Sequence, residues 1–141
     1  MDVALALGTA FVLVLVSAED LRRRIIPNRI VLPAWVLALS VNTALHPEHA
    51  AEWFGWSFGA AFCFLVFARI TGGGLGMGDV KLVGFLGAVL GAQVVPALIV
   101  GTLLGAIAAG LILLRHGSGA RTRTFAYGPF LAAGGLAMLF F

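Results

Sequence analysis

The sequence predicts an all-α, polytopic membrane protein, a bundle of six transmembrane helices with both termini outside. Composition is the first reason: 61% of the 141 residues are hydrophobic, 11% are charged, and mean hydropathy is +1.06. Soluble domains carry roughly 25% charged residues, so a soluble chain of this size has no interior large enough for so much apolar surface. The second reason is six apolar runs. The third is where the basic residues fall between them. A single integral-membrane domain over residues 1–141 follows.

The first run, Val3–Ala18, follows Asp2 and precedes Arg22, Arg23 and Arg24. That charge order is wrong for a signal peptide and right for a first span whose N-terminus lies outside. Pro27 and Asn28 then read as a helix start, with Asn28 as its N-cap. The second run is Ile30–Leu45. The third, Trp53–Ile70, opens on Trp53 and Trp56, which suit an interfacial aromatic belt. Val80–Ala92 is the shortest, and "GAQVVP" with Pro96 marks a turn into Val94–Leu114. Phe125–Phe141 completes the set. About 20 residues cross a ~30 Å hydrocarbon core and about 17 suffice, so the first two spans draw on their flanks.

All nine Lys and Arg fall in the first, third and fifth loops or beside them, and the second loop, "HPEHAAE", has none. Odd loops are therefore cytoplasmic. The pattern needs all six spans, because four would leave basic loops on both sides. Sequence pI is about 10.0, but these short basic loops report topology, so nucleic acid is not an expected partner. Cys63, the single cysteine, allows no internal disulfide or zinc cluster and reads as a small packing residue. No metal or cofactor is expected. Gly84, Gly87 and Gly91, then Gly101, Gly105 and Gly110, recur at spacings that let helix backbones approach closely in lipid.

The carboxylates are the candidates for chemistry. Glu19 and Asp20 end the first helix, and Asp79 opens the fourth, so the topology brings them to the cytoplasmic side. Two adjacent carboxylates tend to share one proton. The ionised member takes a proton from water while the protonated member hydrogen-bonds a scissile carbonyl. That is aspartic-protease chemistry. On spacing alone other roles stand beside it. Asp79 can cap its helix, Asp20 can be solvated among arginines, and Glu19 can replace Asp20, since neighbours on a helix differ by only ~100°.

Three motifs narrow this. Gly76-Met77-Gly78-Asp79 is a G-x-G-D sequence followed by Val80-Lys81-Leu82; Asp20 precedes "LRRRIIPN"; and "YGPF" spans Tyr127–Phe130. In this order they resemble the type IV prepilin peptidases, membrane aspartic proteases of the G-x-G-D class, over about Asp20 to Gly135. The resemblance implies Asp20 and Asp79 as the catalytic pair, which decides against Glu19. Gly76, Gly78 and Lys81 match the motif around the second aspartate, Lys81 either tuning Asp79 or orienting the loop. Pro27 and Asn28 match a turn, and Gly128 and Pro129 match a helix start; these four read as structural.

The resemblance implies a prepilin or pseudopilin substrate, with a basic leader removed at the cytoplasmic face of the inner membrane. Larger members add a domain with paired CxxC motifs and N-methylate the product. Here the first cytoplasmic segment is about ten residues and Cys63 stands alone, so peptidase without methyltransferase activity is expected, as in the short form serving tight-adherence and Flp-type pili. The strip Gly72 to Gly78 is expected to contact substrate backbone or to bring Asp79 towards Asp20. A different class, a small transporter or channel subunit binding cations or protons through the same carboxylates, is disfavoured by the lack of an inverted repeat.

Overall fold

A computed structural model describes residues 3–70, 76–116 and 126–140. Among them every regular element is helical: α1 (Val3–Arg23), α2 (Asn28–Leu45), α3 (Ala50–Ile70), α4 (Met77–Leu90), α5 (Val94–His116) and α6 (Gly128–Phe140), with 3-10 turns at Pro47–His49 and Gly91–Gln93. The residues Gly72 to Leu75 of the glycine strip and Arg121 and Arg123 of the fifth loop lie outside the described residues.

Four helical stretches are long and apolar enough to cross a membrane: Val3–Arg23, Asn28–Leu45, Pro47–Ile70 and Met77–Arg115. The last joins α4 to α5 through the 3-10 turn, and α6 is a shorter apolar helix. The six-run reading thus finds six helices, of which α4 and α6 fall short of a full span by length. Large apolar side chains face outward along the helices, Phe11 on α1, Val36 on α2, Phe62 on α3 and Leu103 on α5 among them. A surface of that kind is satisfied by lipid and not by water.

α4, which carries the shortest of the six apolar runs, is the centre of the bundle. Every residue from Leu82 to Leu90 is buried, and α2, α3 and α6 pack around it. Close approach is what its glycines provide. A Cβ at Gly84 would run into the Trp35 ring, and one at Gly87 would stand 2.7 Å from the Trp56 carbonyl. Polar side chains add interhelical hydrogen bonds where no hydrophobic force favours helix over lipid. Trp35 Nε1 donates to Ser57 Oγ (2.6 Å), Ser57 Oγ donates to the Gly84 carbonyl (2.9 Å), and Asn42 Nδ2 donates to the Ala88 carbonyl (2.8 Å).

The chain reverses after α4. Gly91 takes φ +56°, open to glycine without a Cβ clash, and Trp53 packs over it. On α5, Gly101 meets the Phe130 carbonyl and Gly105 the Tyr127 ring, while Gly134 of α6 meets Ala97. Rising numbers on α5 meet falling numbers on α6, so these two are antiparallel. Gly110 has nothing within 4 Å, so the packing role expected of it is not found. Cys63 is exposed on α3 and is not the packing residue expected; its side chain faces away from the core.

Candidate active site

The buried residues of α1 are Thr9, Leu13, Val16 and Asp20. Their three- and four-residue spacing makes one stripe down the helix, and Asp20 is its last member. Glu19 falls off the stripe and pairs with Arg23 on the outside (3.3 Å). The structure therefore turns Asp20, and not Glu19, into the bundle. Asp79 enters from α4, at the third helical residue. Both are nearly covered, at 5% and 7% exposure, and the Asp20 carboxylate is near enough to act electrostatically on Asp79.

Each carboxylate is held by a glycine N–H at a helix start. Gly76 N donates to Asp79 Oδ2 (3.1 Å), and Gly128 N donates to Asp20 Oδ2 (3.1 Å). The first bond is local. Gly76 is the N-cap of α4, and the Asp79 side chain reaches back to it from N3, half of a capping box. Asp79 does cap its helix, from N3 and not from the N-cap position. The second bond joins residues 108 apart in sequence. α6 supplies it because the first N–H groups of a helix have no partner within the helix.

Ile26 closes the arrangement. It is 7% exposed, although Arg24, Ile25 and Arg29 around it are exposed. Its side chain lies against Gly78 and Gly128 together: a Cβ at Gly78 would stand 2.7 Å from Ile26 Cβ, and one at Gly128 would stand 3.2 Å from Ile26 Cδ1. The turn between α1 and α2 is thus wedged over the starts of α4 and α6. Lys81 Nζ donates to Asn28 Oδ1 (2.8 Å) and ties the same turn to α4. Of the two roles open to Lys81, this contact is with the turn. Pro27, and not Asn28, is the N-cap of α2, and no side-chain hydrogen bond caps it; the Asn28 side chain is engaged by Lys81 instead. Pro129 sits in the first turn of α6, where a missing N–H costs little.

Sequence reasoning did not single out Ile26. The signal was there: an apolar side chain kept inside the arginine-rich turn "LRRRIIPN". Among the described residues no group of His, Cys, Asp and Glu could hold a metal ion. An apolar groove of about 760 Å³ opens between α1 and α2, lined by Leu5, Val12, Leu37, Val41 and Phe85. It lies towards the end of α1 remote from Asp20.

Asp20 and Asp79 sit in terminal turns of α1 and α4, and α5 runs on past the level of Asp20. Gly105 packs on Tyr127, beside the glycine that holds Asp20, and α5 continues to His116. At 1.5 Å per residue that leaves roughly 15 Å of α5 beyond the level of Asp20.

A model of the type IV leader peptidase family matches residues 7–114, which include both aspartates. The prepilin leader peptidase/N-methyltransferase of Burkholderia pseudomallei is 32% identical over 143 residues, 96% of this chain and 46% of that protein. Its counterpart in Bacillus subtilis is 33% identical over 132 residues, 88% and 50%. The Pseudomonas aeruginosa protein of the same name is 35% identical over 137 residues, 90% and 46%. The chain spans about half the length of these curated relatives. No solved structure matches it. The match runs through the helices that carry both aspartates and on through most of α5, and the chain belongs to the type IV leader peptidase family.

Proposed function

We propose that this chain is an aspartic endopeptidase that removes the leader of type IV prepilins or pseudopilins. The observation that carries the reading is the convergence of Asp20 and Asp79, from helices far apart in sequence, on one covered site under Ile26. One carboxylate, ionised, takes a proton from water. The hydroxyl attacks the scissile carbonyl, whose oxygen accepts a hydrogen bond from the other, protonated carboxyl. The proton then passes to the leaving amine, and the pair returns to its starting state.

Membership of the family supports the substrate class, as do the names of the relatives. The arginines beside Asp20 support a site on the cytoplasmic side of the inner membrane, with six crossings and both termini outside. Both carboxylates are covered, so an extended peptide reaches them only when one of the flanking segments moves. No methyl-transfer chemistry is proposed for this segment, in which Cys63 is the single cysteine.

The test is co-expression with a prepilin from the same genome, with leader loss read as a gel mobility shift. Asp20→Asn and Asp79→Asn each abolish the shift while the protein stays at its normal level in the membrane. Cleavage retained in either variant sinks the proposal.

A further inference from the structure

We infer that Gly128 is a positioning residue for the reaction: its backbone N–H fixes the Asp20 carboxylate, and its missing side chain leaves the space that carboxylate fills. The inference rests on the reading of Asp20 as a working aspartate.

The N–H is uncommitted within its own helix. The first bonds of α6 run from Phe130 N (3.1 Å) and Leu131 N (3.3 Å) to the Tyr127 carbonyl. Gly128 N, just after that carbonyl, has no earlier helical acceptor. Gly128 is buried, and a buried N–H needs a partner. Asp20 Oδ2 is that partner, at 3.1 Å.

The space is equally specific. A Cβ at position 128 would stand 2.7 Å from Asp20 Oδ2, 3.2 Å from Asp20 Cγ and 3.2 Å from Ile26 Cδ1. The carboxylate is on one side and the wedge of the α1–α2 turn on the other. Any other residue forces the carboxylate away from the N–H that holds it.

The donor is placed by contacts that do not involve Asp20. Tyr127 Oη donates to Thr102 Oγ1 (2.9 Å), and the Tyr127 ring lies on Gly105. Further along, Gly134 meets Ala97 and Gly101. The packing of α5 on α6 therefore fixes where the N–H points before any substrate arrives, which is how a preorganised donor acts on a reacting group. Asp79 differs, because its glycine N–H comes from its own helix. Among the described residues, Asp20 takes its hydrogen bond from a distant element, and that element is the one carrying "YGPF".

A hydrogen bond to a charged group is worth a factor of about 10 to 100 in an equilibrium or rate. The deletion with the least steric change replaces Gly128 by glycolic acid during cell-free synthesis of the full chain into nanodiscs. That change turns the amide into an ester, removes the N–H and adds no side chain. With purified prepilin as substrate, kcat per folded molecule falls about 10- to 100-fold and KM stays within about twofold. Gly128→Ala loses at least as much, because it adds the clash. Asp20→Asn is measured alongside. A glycolic acid variant with normal kcat, beside an inactive Asp20→Asn, overturns the role of Gly128 alone. A variant that yields less folded protein but cleaves normally per folded molecule overturns it too, leaving Gly128 a packing residue. An active Asp20→Asn overturns the aspartate reading and this one with it.

Discussion

Glu19 and Asp20 are neighbours with the same chemistry, and a turn of about 100° separates their fates. Asp20 closes the buried stripe of α1, whereas Glu19 pairs with Arg23 at the surface, where their side chains are 35% and 77% exposed. Exposed pairs of this kind contribute about 0–1 kcal/mol. Glu19→Gln is therefore expected to leave both leader cleavage and the unfolding midpoint near wild type, in contrast to Asp20→Asn. Lys81 and Asn28 form a second test at this scale. Removing either loses one hydrogen bond at the surface, about 1 kcal/mol. In a double-mutant cycle Lys81→Met and Asn28→Ala are expected to cost no more together than the larger of the two alone, since each removes the same contact. Fully additive losses would mean that the two side chains work separately.

At the scale of elements, α4 shows what a short apolar run means when other helices enclose it. A span bordered by lipid must cover the hydrocarbon thickness, but α4 is wrapped by protein along its length, and its 14 residues are bounded by the Gly76 cap and the Gly91 reversal. Its glycines mark where neighbours come closest, and substitution should separate packed from open positions. Gly84→Ala drives a Cβ into the Trp35 ring and is expected to cost about 1–3 kcal/mol. Gly110→Ala meets nothing within 4 Å and should be neutral or stabilising by up to about 1 kcal/mol, the usual helix preference for Ala over Gly. Thermal unfolding in detergent ranks the two, and equal costs would contradict the packing described. Ser57→Ala strands both the Trp35 N–H and its own share of the Gly84 carbonyl, for a loss of about 1–3 kcal/mol. Spacing in the sequence marked Gly84, Gly87, Gly101 and Gly105 correctly, because close packing needs small residues wherever it occurs. It marked Gly110 and Cys63 wrongly, because small residues are equally at home facing lipid.

For the whole molecule, the basic residues and the helix directions make one topological prediction. α4 and α5 run in opposite directions through the turn at Gly91, and α5 and α6 are again antiparallel. With six crossings the C-terminus lies outside. Alkaline phosphatase fused after Phe141 is then expected to be active, and green fluorescent protein fused there to be dark. The opposite pair of results would require an odd number of crossings or an inverted orientation with both termini inside. Fusions in the second loop, near His49, should behave like the C-terminal ones, and fusions near Arg24 should behave in reverse.

The order of apolar runs, the basic loops and the three motifs determined by themselves that this is a helical membrane chain and which aspartates to suspect. Those features are local: a span is a length of apolar residues, and a motif is a string of neighbours. The tertiary structure decided what required knowing which side of each helix faces inward. In a soluble helix the apolar stripe would have given that answer in advance. Here lipid and core are both apolar, so Leu13 and Val14 look alike in the sequence, although one is buried and the other exposed. Only packing could turn Asp20 inward, set Ile26 over the starts of α4 and α6, move Asn28 from cap to partner of Lys81, and bring the Gly128 N–H to a carboxylate 108 residues away.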